Sequence, residues 1–108
     1  MTGDITSITF AGARVIEAEA AALDPEEFTF IGTESVPPGA KVLGEATDGM
    51  KRLCTLFHKY MAKDGLGETE IKKQLIHSLL GFEVRSTFED AWGTPFGFTE
   101  DWVVYALN

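Results

Sequence analysis

The residues with the widest chemical repertoire in this chain are few: Cys54, His58 and His77. Cys54 and His58 stand four apart, a spacing that puts both on one face of a helix and would allow a thiolate–imidazole pair or two ligands to one metal ion. The set is incomplete for either purpose. A zinc site needs three or four ligands at recognisable spacing, and the sequence has no second cysteine, no C-x-x-C and no H-E-x-x-H. Cys54 also falls in an apolar stripe, where a free cysteine behaves as a small hydrophobe. No metal and no cofactor is therefore expected. His77 lies on the polar side of a second helical stretch near its end, where the helix dipole favours a cationic imidazole.

Carboxylates occur in adjacent pairs at Glu26-Glu27, Glu89-Asp90 and Glu100-Asp101. Two-carboxylate catalysis needs a cleft that pushes the two pKa values apart, and neighbouring acids in turn-like sequence give no sign of one. The nucleophile motif G-x-S-x-G is absent. Gly32, Gly39, Gly44 and Gly49 are scattered, without G-x-G-x-x-G or G-K-[ST]. No catalytic residue is assigned, and the sequence reads as non-enzymatic.

Composition near the C-terminus is more informative. Seven of the twelve aromatic residues (Phe82, Phe88, Trp92, Phe96, Phe98, Trp102 and Tyr105) fall in the last 27 positions, where no Lys or Arg follows Ser86. Phe82, Phe88 and Trp102 are expected in the core. Trp92, Phe96 and Phe98 surround Gly93, Pro95 and Gly97, a loop composition, and loops run over the surface. With Glu100 and Asp101 they are the candidate binding residues. Desolvated aromatics supply interface energy and nearby acids steer a partner. The chain is thus expected to be a small acidic protein-binding module, of inhibitor, immunity-type or adaptor character. The alternative is a ligand-binding domain or enzyme with Trp92, Phe96, Trp102 and Tyr105 lining a pocket between helices and sheet, and Glu89, Asp90 or His58 as its polar group.

The net charge of −8 is unevenly spread. Residues 1–40 carry seven acids against Arg14, residues 86–108 carry four acids and no base, and the middle is mildly basic. The expected partner is a basic protein, or a second copy of the chain. Direct nucleic-acid binding is disfavoured, because counterion release requires clustered Lys and Arg that the flanks lack. No apolar run approaches a membrane span. The start, Met1-Thr2-Gly3-Asp4, has no signal-peptide pattern. A lone cysteine suits a reducing compartment, so a cytoplasmic protein is expected.

The elements that must position these residues centre on two amphipathic helices, about 47–63 and 68–80. Met50, Leu53, Cys54, Phe57, Tyr60 and Met61 recur at helical spacing behind an N-cap at Thr47, with Lys51, Arg52, Thr55, Lys59 and Lys63 opposite. Ile71, Leu75, Ile76, Leu79 and Leu80 form the second stripe, and Gly81 reads as its stop. Before them, Thr6–Phe10 and Arg14–Ala20 are expected as a hairpin. Strong helix formers at 17–23 argue for a helix from Ala13, but the alternation of Ile16, Ala18 and Ala20 with Glu17 and Glu19 decides for a strand. Residues 28–31 add a third strand, and Pro37-Pro38-Gly39 a loop. Short extended segments are expected at 41–46, 82–85 and 102–107, with one capped helical turn through Trp92. The predicted class is α+β in one domain: a mostly antiparallel sheet with the helix pair on one face, the other face left for binding.

Overall fold

The computed structural model describes the backbone of residues 2–29, 32–63 and 67–107 and, within these, side chains from Gly12 onward. It is an α+β fold. Helices α1 (Thr2–Ala21), α2 (Asp48–Met61) and α3 (Glu68–Thr87) pack on one another, and a sheet of β1 (Lys41–Glu45), β2 (Phe96–Phe98) and β3 (Val103–Ala106) completes the core. Strand order is β1-β3-β2, antiparallel throughout, with Val42 opposite Tyr105 and Phe98 opposite Val104. No helix among the described residues is long and apolar enough to cross a membrane.

α2 follows its sequence pattern. The Thr47 hydroxyl accepts from the Met50 amide at 3.2 Å, capping one of the amides that a helix start leaves unpaired. Met50, Leu53, Cys54 and Tyr60 are buried, as is Leu56, whereas Met61 is exposed. Thr55, assigned by spacing to the polar side, is buried too: its hydroxyl donates to the Lys51 carbonyl at 2.7 Å and accepts from the Thr29 amide at 3.1 Å. The segment after α1 lies across that side of α2. Arg52 fastens it, Nη1 donating to the carbonyls of Ala20 and Leu23 at 3.0 and 2.5 Å, so a guanidinium caps the negative end of α1.

The first third departs from the expected hairpin. Residues 2–21 form one helix, and Ile16, Ala20 and Leu23 are the buried set, spaced four and three apart. Ala18, required by the strand reading to share their face, is exposed. Of the expected third strand, Phe30 and Ile31 lie outside the described residues, and Phe28 and Thr29 belong to no strand. Gly81 does not stop α3 either. Ile76, Leu80 and Val84 continue at four-residue spacing into the core, and the expected strand at 82–85 is the last full stretch of the helix. The expected turn after it is the 3-10 turn Glu89–Ala91. A cluster at the crossing of the helices ties them together: the Tyr60 hydroxyl donates to Glu19 at 3.0 Å and accepts from Lys72 at 3.4 Å. That hydrogen bond is the main reason the Lys72 ammonium titrates above its ordinary range.

The helices cover one face of the sheet, whereas Val42, opposite Tyr105 on the other, is exposed. Phe98 and Val104 point into the helical core, while Tyr105, on the other face, lies over Gly97 with Thr33 beside its hydroxyl at 3.4 Å. A side chain on Gly97 would come within 2.5 Å of that hydroxyl. The loop at Pro37-Pro38-Gly39 is a tight turn, with the Ala40 amide donating to the Pro37 carbonyl at 3.1 Å and Gly39 at φ +85°.

Candidate functional site

The aromatic residues singled out by composition do not form one uniform surface. At the end of α3 the chain makes the 3-10 turn, passes Gly93 at φ +79°, and enters β2 at Phe96. Trp92, just before that glycine, is 59 % exposed. Phe96 is half-buried and meets Phe98 edge-on, ring centroids 6.0 Å apart. Phe98 is only 4 % exposed. Alternate strand residues share a face, so Phe98 follows Phe96 one step deeper into the core and supports it there.

Between the two outer rings sits a residue that composition did not point to. The Arg85 guanidinium lies 6.0 Å from the Trp92 ring and 5.6 Å from the Phe96 ring, within cation–π range of both. Gly81 makes room for it, since a Cβ there would stand 2.7 Å from Arg85 Nη1. The surface is therefore aromatic and cationic at its centre. The acids just before Trp92 in the chain, Glu89 and Asp90, are exposed, the latter paired with Lys41 at 2.6 Å, a surface ion pair of small energetic weight. Phe82, expected in the core, is 64 % exposed and precedes Arg85 by three residues on α3. Residues three apart on a helix are neighbours, so Phe82 continues the surface on which Trp92 stands.

Glu100 and Asp101 are exposed at the tip of the β2–β3 hairpin. Trp92 precedes the opposite end of β2, three residues of about 3.3 Å rise each. The two acids thus stand roughly 10 Å or more from the aromatic centre. Their turn is tight: the Thr99 carbonyl accepts from the Trp102 amide at 3.0 Å, and the Thr99 hydroxyl from the Val103 amide at 3.1 Å. Trp102 occupies the left-handed position that such three-residue loops usually give to glycine, at φ +64°, at a cost of about 1–2 kcal/mol. Its half-buried ring packs against the core with the Lys51 ammonium 5.9 Å away, and its carbonyl accepts from Ala46 at 2.8 Å. The register puts Phe96 and Tyr105 on opposite faces of the sheet, so Trp92, Phe96, Trp102 and Tyr105 do not face one common cavity.

The helices open a groove elsewhere, about 480 Å³ in volume, where the end of α1, the start of α2 and the middle of α3 meet. Cys54 does not reach a comparable opening. It is fully buried, and burial pushes its thiol up to about 12, which leaves no thiolate for His58 to pair with near neutrality. His77 is exposed, its ring 6.1 Å from Phe57. Among the described residues no three His, Cys, Asp or Glu side chains come together as a metal-binding set.

Arg85 and Phe82 are the two residues sequence reasoning left out of the site. Their i, i+3 spacing was visible, but ending α3 at Gly81 assigned them to a strand. Compared with known proteins, the chain matches no family model, no curated protein sequence and no solved structure.

Proposed function

We propose that this chain is a small non-enzymatic module that binds a protein partner in the cytoplasm, through the surface at the end of α3. Trp92 and Phe96 are its anchors, and Glu100 and Asp101 draw in a basic partner. A second copy of the chain is the other occupant this surface would take. The observation that carries the reading is Trp92, an indole exposed over more than half its surface with Arg85 held above its ring. Trp and Arg are the residue types most enriched where truncation costs binding energy. A preformed pair loses less side-chain freedom on association than two mobile side chains would. Phe98 acts from beneath, by fixing Phe96.

The test is capture from the native host with the wild-type chain and with Trp92→Ala, each bound protein then being purified and titrated alone. A partner whose affinity falls at least about tenfold in Trp92→Ala supports the reading. If wild type, Trp92→Ala and Phe96→Ala hold every partner equally, or if the chain binds only a small molecule, the reading fails.

A further inference from the structure

The groove among the helices has a floor of Ala20, Leu53 and Leu79, with Phe82 standing over one side. On the α2 wall Gly49 makes room for the Glu83 carboxylate, whose Oε1 would stand 2.9 Å from a Cβ there. The groove's charges are lopsided. Glu17 and Glu83 line it with their carboxylates; Glu83 is held by the Thr47 hydroxyl at 3.4 Å through Oε1. Among the described residues the one cation in the lining is Arg52, and its guanidinium is committed to the end of α1 and to the ring of Phe28, 5.3 Å away. Exposed Asp48 adjoins Gly49 and adds a third acid nearby. An apolar trough between helices with acids on its rim is complementary to one kind of segment: apolar along one side, basic along the other.

We propose that this groove docks an amphipathic helix of a protein partner, carrying apolar side chains at i, i+3 and i+4 and a Lys or Arg beside them. The apolar side chains enter over Leu79 and Phe82, and the cation meets Glu17 and Glu83. A helix is the fitting shape because it lies along three existing helices as a fourth member, the arrangement by which grooves read amphipathic helices. An acidic helix would meet two carboxylates with Arg52 already engaged. The proposal rests on the reading that the chain binds proteins, and adds a second contact on the other side of Phe82 from Trp92.

The probe is a fluorescein-labelled helical peptide of about four turns, leucine on one side and lysine on the other, with a twin carrying glutamate for lysine. By anisotropy at low salt, the lysine peptide should bind saturably and at least about tenfold more tightly than the glutamate twin. Glu17→Lys should narrow or reverse that ratio, Phe82→Ala should weaken the lysine peptide at least about tenfold, and Trp92→Ala should leave it unchanged. Glu17 and Phe82 are both exposed, so neither variant threatens the fold. Equal binding of the two peptides, no binding, unchanged binding by Phe82→Ala, or binding of dodecylamine alone would each overturn the proposal. Peptide binding with a native partner indifferent to Trp92 leaves this proposal standing and removes the previous one. The reverse result removes only this one.

Discussion

Cys54 is the clearest place to test whether this chain holds reactive chemistry or only structure. Burial raises its thiol from 9.0 to about 12, while in the unfolded chain it titrates at its ordinary value. Below pH 9 both states hold the proton, and the thiol's contribution to stability is whole. Between pH 9 and 12 the unfolded chain releases the proton and the folded chain does not, so stability falls by about 1.4 kcal/mol per pH unit. At pH 10.5 the loss amounts to about 2 kcal/mol. Other groups that ionise in this range, Lys72 among them, are shared with Cys54→Val, and the difference between the two proteins isolates the thiol. Urea unfolding at pH 7.5 and at pH 10.5 should show wild type losing about 2 kcal/mol more than Cys54→Val. In the folded protein at pH 8 the thiol should resist Ellman's reagent until urea unfolds the chain. Parallel losses in both proteins, or rapid thiol reaction without denaturant, would refute the reasoning and reopen the Cys54–His58 pair.

Leu53→Ala should cost about 2–5 kcal/mol in denaturant unfolding, whereas Phe82→Ala, on an exposed side chain, should cost less than about 1 kcal/mol; equal costs would contradict the placement of Phe82. Gly97→Ala should cost about 1–3 kcal/mol by driving Tyr105 off the sheet, and an unshifted melting curve would show that the ring has room. With a partner in hand, Phe96→Ala should act mainly by faster dissociation, worth about 1–3 kcal/mol if it is a hot spot. Neutralising Glu100 and Asp101 should instead slow association and flatten its salt dependence; the opposite division of rates in stopped flow would count against the roles given to them.

α2 was legible because cap, stripe and flanking glycine agree on one element. The strand at 103–106 was legible from its β-branched and aromatic residues, and that at 41–45 only from the turn signals at Gly44 and Thr47-Asp48-Gly49. α1 was not, because alanine satisfies a two-residue alternation as easily as a helical one. Ile16, Ala20 and Leu23 fit the helix, and only packing against α2 and α3 reveals which set is buried. Gly81 misled for a related reason: its missing side chain accommodates Arg85 within the helix instead of ending it. At the candidate site, loop composition located Trp92 at the surface, whereas Phe96 is half-buried in β2. Composition could not separate Phe98, whose burial follows from pairing with Val104 in a strand that distant residues complete.

The position of the aromatic surface in the topology bears on when it comes into being. α2 with α3, and β2 with β3, are neighbours along the chain, and their contacts close short loops. β1 instead pairs with β3 across most of the sequence, Lys41 opposite Ala106, and such long closures come late in folding. Arg85 belongs to the first local unit and Phe96 to the second. The guanidinium stacks on both rings only once the two units have docked, so we expect Trp92 emission to reach its native value in the slowest refolding phase. A partner that reads this surface would then recognise the finished fold and pass over half-folded chains.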